Sequence, residues 1–378
     1  MPRTTEGGFR VKKLVVETFG AAGIQIGGSE PWDIAVHNEE FYPRIVSELS
    51  VGLGESYMDG WWDCERLELA FERIYRADLQ SQKATWSKRY YYLKSKLYNY
   101  QRESRAFQVG EQHYDTGNDL YQIMLGPRMV YCSGYYDRGA SSLEQAEEDK
   151  LALICEKLAL KPGDRVLDIG CGWGSFAKYA VQKHDVEVVG VTVSKEQIAL
   201  AQELCAGLPI EFLLQDYRDI SGSYDHIVSI GMLGHVGYRN YRTLMEVAHR
   251  ALKDDGLFLI HTMGANRSTT AADPWIHKYI FPNGMAPSIQ QLGASIEELF
   301  VMEDWHNFST DYQLTTMAWA ENLHAHWDEV KSRYDERFYR MWEYYLKVFA
   351  AAFTARRLET WDIVLSKQGG RPKYRSVR

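Results

Sequence analysis

The sequence predicts an α/β protein with a doubly wound, mostly parallel sheet and a smaller, mainly helical N-terminal domain. From about residue 164 onward, short apolar runs alternate with amphipathic segments of helical period, which is typical of parallel strands joined by crossover helices. Ahead of residue 105 the apolar positions recur mostly at helical spacings. Because 378 residues are enough for two domains, we expect one at 1–105 and one at 106–378.

These periodicities also predict the individual elements. In the C-terminal part we expect strands at 166–169, 186–193, 210–215, 225–231 and 257–262, and helices at 143–159, 175–184, 194–206, 239–252, 311–325 and 333–356. In the N-terminal part we expect helices at 9–19, 39–49 and 66–77 and short strands at 24–26 and 34–36. Three further segments are predicted as a glycine- and aromatic-rich loop at 52–62, an aromatic lid or substrate wall at 273–282 and a flexible basic tail at 368–378.

Composition limits the class of protein. The formal charge of −8 argues against a general nucleic-acid binder. The five cysteines are odd in number and lack C-x-x-C spacing, so we expect free thiols in a reducing compartment and no metal site. The sequence has no apolar run long enough for a membrane span and no signal peptide at its start, which predicts a cytoplasmic protein.

The chain is organised around a glycine-rich turn that follows the first strand of the sheet. Asp168 ends the strand, and Gly170, Gly172 and Gly174 follow before an amphipathic helix. Such a strand–turn–helix unit lets a ligand approach the main chain closely. A dinucleotide is one candidate ligand, but the second strand ends without the acid that would hold its ribose. The G-x-G-x-G spacing instead resembles motif I of class I S-adenosylmethionine-dependent methyltransferases.

Polar residues cluster where the other predicted strands end. Thr192 ends the second strand, Asp216 and Tyr217 follow the third, and His261 lies at the end of the last. Parallel strands bring their carboxyl ends to one edge of a sheet, where α/β proteins bind ligands. We therefore expect these residues to share one site.

A basic, aromatic segment at 82–105 interrupts the otherwise acidic chain. Its apolar residues recur at spacings of three and four between lysines and arginines. The pattern fits an amphipathic helix that docks on an anionic membrane surface. It fits equally well a solvated helix packed on the core by its apolar face, and the sequence leaves both open.

Several segments together resemble the bacterial cyclopropane-fatty-acyl-phospholipid synthase family. They are residues 53–62, 113–115, 166–174, 215–219, 273–284 and 305–308. The resemblance implies a class I methyltransferase fold and transfer of a methylene unit from S-adenosylmethionine to a cis double bond of a phospholipid acyl chain. It also implies a peripheral association with the inner membrane surface and a homo-oligomer, by analogy a dimer.

The resemblance also implies two sets of site residues. The residues expected to bind S-adenosylmethionine are Tyr131, Cys132, Asp168, Gly170, Gly172, Gly174, Thr192, Gln197, Asp216 and Tyr217. Gln197 matches a ribose contact, and Asp216 and Tyr217 match the adenine end. The base in this family is a bound bicarbonate, and its site carries over to His261, Tyr312 and the main chain near Ser133 and Met263.

One position departs from the family pattern. Gly234 stands where the family has a glutamate that fixes the bicarbonate, and losing a hydrogen bond to a charged group costs about 1.5–3 kcal/mol. The chain could be an engineered variant, a natural synthase with altered proton handling, or an enzyme that makes a methyl- or methylene-branched product. Two other classes stay open: a lipid- and cofactor-binding protein with little turnover, and a small-molecule C-methyltransferase. A smaller departure is Cys132–Ser133, where the family commonly has Ser–Cys.

Overall fold

A computed structural model describes residues 3–78, 117–370 and 374–378 of the chain. The predicted basic helix at 82–105, the segment 113–115 and the domain boundary at 105/106 lie outside the described residues. The predicted domain division therefore stays a prediction.

The centre of the fold is a seven-stranded sheet. Its strands are β3 (Arg165–Ile169), β4 (Glu187–Thr192), β5 (Ile210–Leu214), β6 (Tyr224–Ile230), β7 (Leu252–Gly264), β8 (Phe300–Asn307) and β9 (Glu359–Lys367), and a separate antiparallel pair joins β1 (Ala35–Val36) to β2 (Trp62–Asp63). The seven strands lie in the order β5–β4–β3–β6–β7–β9–β8, and β9 is antiparallel to both of its neighbours while the other pairs are parallel. The predicted α/β, mostly parallel sheet is confirmed.

Helices connect and cover the strands. The N-terminal part contains α1 (Arg3–Gly20), α2 (Phe41–Glu48), α3 (Ser50–Met58) and α4 (Leu67–Arg76). The rest are α5 (Asn118–Leu125), α6 (Leu143–Leu158), α7 (Ser175–His184), α8 (Lys195–Leu204), α9 (Leu233–Val236), α10 (Tyr241–Ala251), α11 (Pro274–Tyr279), α12 (Ile289–Ile296), α13 (Ser309–Val330) and α14 (Glu336–Thr354).

The predicted loop at 52–62 is wrong, because most of it forms helix α3 (Ser50–Met58). Glycine inside a helix costs about 1 kcal/mol relative to alanine, and the cost is offset here by close packing. A Cβ on Gly52 would lie 2.5 Å from the carbonyl oxygen of Arg44, and one on Gly54 would lie 2.4 Å from the indole of Trp275. The two glycines let α3 approach its neighbours at a distance that no other residue permits.

Strands β8 and β9 are absent from the sequence prediction. β9 is buried at every residue except its last, so its side chains do not alternate between apolar and polar and the period-2 signal is weak. The predicted N-terminal strand at 24–26 is reduced to a single bridge between Ile26 and Ile34. The predicted flexible tail is also wrong for residues 374–378, since Ser376 and Arg378 bond to Asp304.

The N-terminal helices share a hydrophobic core with the last two helices of the chain. Tyr344 of α14 packs its ring against Tyr57 of α3 at 5.5 Å and against Phe71 of α4 at 5.3 Å between centroids. The same buried cluster includes Phe19, Phe41 and Trp319. The N-terminal helices therefore pack directly on the part of the chain that follows the sheet.

A buried ion pair joins β8 to α6 and to the chain end. The Lys157 ammonium, fully buried, donates to Asp304 Oδ2 at 2.7 Å, and Arg378 donates to both Asp304 oxygens at 2.6 and 2.9 Å. Burial alone would raise the pKa of Asp304, but Arg378 and Lys157 outweigh it and lower that pKa to about 2. Since this lies below the value of an unfolded aspartate, the carboxylate stabilises the fold above about pH 4, and that contribution is lost as pH falls toward 2.

We therefore expect Asp304→Asn to lower the free energy of unfolding at pH 7 by roughly 3 kcal/mol, because the buried Lys157 loses its counter-ion. Urea denaturation at pH 7 and pH 3 measures this, and the gap between wild type and variant should shrink at pH 3. Asp328→Asn, which changes an exposed pair with Lys331, is the control and should leave stability within about 0.5 kcal/mol. A gap of equal size at both pH values would contradict the assignment.

Candidate functional site

A cavity opens at the carboxyl ends of β3, β4 and β6, and we refer to it as the strand-end cavity. All the predicted cofactor residues except Gly174 line it: Tyr131, Cys132, Asp168, Gly170, Gly172, Thr192, Gln197, Asp216 and Tyr217. Residues that the sequence did not single out complete the wall, among them Lys150, Trp173, Met232 and His235. The expected meeting of Thr192, Asp216 and Tyr217 is present in the structure, whereas His261, which we expected in the same site, does not line the cavity.

The glycine-rich turn forms the floor of the strand-end cavity. Gly170, Gly172 and Gly174 have φ angles of +85°, +53° and +81°, which L side chains rarely adopt. A Cβ on Gly174 would lie 2.7 Å from the ring of Phe212, whereas one on Gly172 would meet nothing within 4 Å. Gly174 is thus required for packing at the start of α7, and Gly172 leaves open space for a ligand.

Hydrogen bonds fix the residues that follow β4 and β5, which form another wall of the cavity. The Thr192 hydroxyl donates to Gln197 Oε1 at 3.0 Å, and the Gln197 N–H donates to Ser194 Oγ, which caps α8. Asp216 accepts from the main-chain N–H and the guanidinium of Arg218, both at 2.9 Å. The Asp216 carboxylate is therefore held by an ion pair at the cavity edge.

A buried charged cluster lies behind the turn. The ammonium of Lys150, fully buried on α6, donates to the Cys132 sulfur at 2.8 Å. Burial would raise the pKa of Cys132, but Lys150 and His261 outweigh it and lower that pKa to about 7. For Asp168, burial outweighs the attraction of Lys150 and raises the pKa of the carboxyl to about 7. Asp168 Oδ1 has no hydrogen-bond partner among the residues that the structure describes. The cluster can thus supply a negative group to a cationic ligand.

His261 lies on the other side of Cys132. Its Nδ1 is 2.9 Å from Asp362 Oδ1, and both side chains are fully buried. Burial opposes protonation of this imidazole, but the hydrogen bond to Asp362 and the adjacent Cys132 raise the pKa of His261 above its usual value. With Nδ1 bonded to Asp362, the other ring nitrogen faces the Cys132 side chain. Asp362 therefore orients the imidazole toward the thiol.

Helix α13 links two other residues of the predicted base site, Ser133 and Tyr312. Ser133 is buried and donates to the Gly134 carbonyl, and the Gly134 N–H donates to Thr315 Oγ1 of α13 at 3.0 Å. Tyr312, one turn earlier on α13, stacks on Phe353 with centroids 4.6 Å apart. His261, Ser133, Met263 and Tyr312 are not among the residues lining the strand-end cavity.

Gly234 lies in the short helix α9 at the edge of the cavity. A Cβ built on it meets only the Met285 carbonyl oxygen, at 3.8 Å, so the position has room for a side chain. The neighbouring His235 lines the cavity, and burial lowers its pKa to about 4. His235 is therefore neutral near pH 7 and adds no positive charge to this wall.

Aromatic rings form the wall between the cavity and the last two helices. Tyr131 packs against Tyr121 and Trp319, each at 5.3 Å between centroids, and its hydroxyl donates to that of Tyr345 at 3.2 Å. Trp173, which follows the second glycine, lies 5.0 Å from Tyr121. Aromatic faces attract cations and exclude water, so this wall suits chemistry in which positive charge develops next to an apolar chain.

Sequence reasoning missed Lys150, Asp362 and the buried Glu147. Lys150 was detectable in principle, because it lies one turn from Ala146 and Ile154 on the apolar face of α6, where an unpaired lysine is costly. Burial raises the pKa of Glu147 to about 9, so its carboxyl is protonated near pH 7. Asp362 had no local signal, since its role follows from the pairing of β9 with β7.

Among the described residues, no three His, Cys, Asp or Glu side chains are grouped so that they could hold a metal ion. None of the described helices is long and apolar enough to cross a bilayer.

Comparison with known proteins identifies the family. Residues 101–363 match the family described as mycolic acid cyclopropane synthetase. The chain is 51% identical over 356 residues to the cyclopropane-fatty-acyl-phospholipid synthase of Escherichia coli K12, covering 94% of this chain and 93% of that protein. It is 34% identical over 274 residues to a probable fatty acid methyltransferase of Mycobacterium tuberculosis, covering 70% of this chain and 64% of that protein.

Solved structures agree with this match. The cyclopropane synthase MmaA2 from Mycobacterium tuberculosis superposes with a TM-score of 0.65 at 29% identity, covering 69% of this chain and 98% of that one. The mycolic acid cyclopropane synthase CmaA1 in complex with SAH and CTAB gives a TM-score of 0.65 at 30% identity, with the same coverage. The fold is that of the class I S-adenosylmethionine-dependent methyltransferases, and the chain is an enzyme that belongs to the mycolic acid cyclopropane synthetase family.

Proposed function

We propose that this enzyme transfers a methylene unit from S-adenosylmethionine to the cis double bond of an unsaturated phospholipid acyl chain and forms a cyclopropane ring. The observation that carries the proposal is the 51% identity, over 94% of the chain, to a synthase named for this activity. The strand-end cavity adds physical support, because it combines a glycine-rich turn, buried acids and an aromatic wall.

The residues of the cavity fit the cofactor. Asp168 offers a buried carboxylate oxygen that no described residue satisfies, and Gly172 leaves its space open. We assign the methionine end to the glycine-rich turn with Tyr131 and Cys132, the ribose to Gln197 beside Thr192, and the adenine end to Asp216 and Tyr217. When bound, S-adenosylmethionine supplies a methyl group on a sulfonium, and the buried acids balance its positive charge.

The aromatic wall fits the next requirement of the reaction. Addition of a methyl group to an alkene leaves a carbocation on the acyl chain, and water must be excluded until a ring forms. Tyr131, Trp319 and Tyr312 present buried or half-buried rings on this side of the site. Their faces stabilise positive charge, and their packing keeps the acyl pocket dry.

Ring closure also requires loss of a proton from the added methyl group. We propose that bicarbonate binds beside His261, Tyr312 and the main chain near Ser133 and Met263, and supplies the base there. The raised pKa of His261 suits an anion, and Asp362 holds the ring in place. Because Gly234 brings no carboxylate to this site, we expect weaker retention of bicarbonate than in relatives that have glutamate there.

The same glycine supports a second candidate function. If the ring does not close, the cation can lose a proton from a neighbouring chain carbon and leave a methyl-branched alkene. A hydride shift that moves the charge to the methyl-bearing carbon, followed by loss of a methyl proton, leaves a methylene branch instead. The similarity to a probable fatty acid methyltransferase is consistent with this outcome.

We further propose that the enzyme acts as a peripheral protein on the cytoplasmic side of the inner membrane and as a dimer, as its phospholipid substrate and its family suggest.

The proposed function is tested by incubating the protein with S-adenosylmethionine and vesicles of dioleoyl phosphatidylethanolamine and phosphatidylglycerol. We expect acyl chains heavier by one methylene unit that show cyclopropane protons by NMR, at a rate that rises with added bicarbonate. The same mass without cyclopropane protons would assign the branched product instead. Absence of any product from protein that still binds the cofactor would overturn both.

Gly234→Glu tests the role assigned to the missing carboxylate. The open space at this position predicts a folded variant, and a restored hydrogen bond of about 1.5–3 kcal/mol would lower the bicarbonate concentration for half-maximal rate roughly tenfold or more. Gly234→Ala is the matched control, since it fills space without a carboxylate and should leave that concentration unchanged. An equal response of both variants to bicarbonate would contradict the role.

A further inference from the structure

Two segments noted in the sequence have no place in the chemistry described so far. They are the glycine- and aromatic-rich segment that contains α3 and the aromatic insert that contains α11. They are separated by more than two hundred residues in sequence, yet the structure brings them into direct contact. Glu55 of α3 is at the centre of that contact.

Glu55 is a nearly buried carboxylate with three partners, and we refer to this group as the Glu55 clamp. Its Oε1 accepts from Lys278 Nζ at 2.5 Å and from the Tyr279 hydroxyl at 2.8 Å, and its Oε2 accepts from Arg44 at 2.5 Å. Burial acts to raise the pKa of Glu55, but these partners lower it below its usual value. The carboxylate is therefore charged at neutral pH and joins α2 and α3 to α11.

Apolar packing reinforces the clamp. The Trp275 side chain of α11 is 1% exposed and lies 4.7 Å from the Tyr344 ring of α14. Its indole also fills the space that a side chain at Gly54 would need. One side of α11 is thus held in a slot between α3 and α14, and the clamp fixes the polar side.

The chain that follows α11 runs to the wall of the strand-end cavity. The Phe281 ring packs edge-on against His235 at 5.6 Å between centroids, and the Met285 N–H donates to the Gly234 carbonyl at 2.9 Å. Phe281 also contacts Tyr345, whose hydroxyl accepts from that of Tyr131. A continuous set of contacts therefore leads from Glu55 to two walls of the cavity.

We propose that Glu55 is a positioning residue for the reaction. By fixing α11, it holds the Phe281–His235 and Met285–Gly234 contacts, which close the side of the strand-end cavity where we place the acyl chain. This inference rests on the proposed function. It gives the N-terminal helices a direct part in the chemistry, because they set the position of a wall that must stay closed while a cation exists. Loosening the wall admits water, which captures the cation before the ring forms.

Glu55→Gln tests the proposal, since it removes the charge and keeps the shape. We expect kcat for methyl transfer to dioleoyl phospholipid vesicles to fall at least tenfold, while the KM for S-adenosylmethionine stays within about twofold. The share of methylated but uncyclised acyl chains should rise. Lys278→Met changes a half-exposed side chain and should lower kcat in the same way but by less. The double variant should be little worse than Glu55→Gln alone, because both substitutions disrupt the same Glu55–Lys278 ion pair.

Glu72→Gln is the matched control, because Glu72 lies on α4 and pairs with Arg76 rather than with a residue of the Glu55 clamp. It should keep the wild-type rate and product ratio. Wild-type kcat and product ratio in Glu55→Gln would overturn the proposal. So would a loss of activity that matches the loss of folded protein in a thermal melt, with an unchanged product ratio. The wild-type product itself reports on the proposed function, whereas the ratio of variant to wild-type methyl transfer reports on the clamp.

Discussion

The balance of charge around Lys150 is the constraint on which the rest of the site depends. A fully buried ammonium is tolerated only when a negative group compensates it, and the structure places Cys132 at 2.8 Å and Asp168 nearby. Because the pKa values of both acids lie at about 7, binding a sulfonium cation favours their ionised forms. The Cys132 thiol also contacts His261, so this one side chain belongs to both the proposed cofactor site and the proposed base site.

The second constraint is that the wall formed by Phe281 and Met285, against which we propose that the acyl chain lies, is not built by the methyltransferase fold alone. The N-terminal helices and α14 form one hydrophobic core, and α11 is held between them by Trp275 and Glu55. A reaction that passes through a carbocation needs walls that do not open during turnover. Because the insert packs against a separate group of helices, the wall that it forms is more rigid than a solvent-exposed loop would be.

The sequence predicted those parts of the site that depend on local patterns. The glycine-rich turn and the polar residues at strand ends were found because strand periodicity and parallel topology place them together. The pairing of His261 with Asp362 was not found, because β9 follows two long helices in sequence and inserts between β7 and β8. Helix α3 was missed because its glycines are unfavourable locally and favourable only in contact with Arg44 and Trp275.

We propose that the strand-end cavity binds S-adenosylmethionine with its sulfur directed toward Tyr131 and Cys132. A crystal structure of the protein with S-adenosylhomocysteine is the decisive measurement. We expect the amino-acid end on the turn of Gly170 and Gly172, the ribose beside Gln197 and the adenine beside Tyr217. A ligand bound with its adenine at the glycine-rich turn, or outside this cavity, would contradict it.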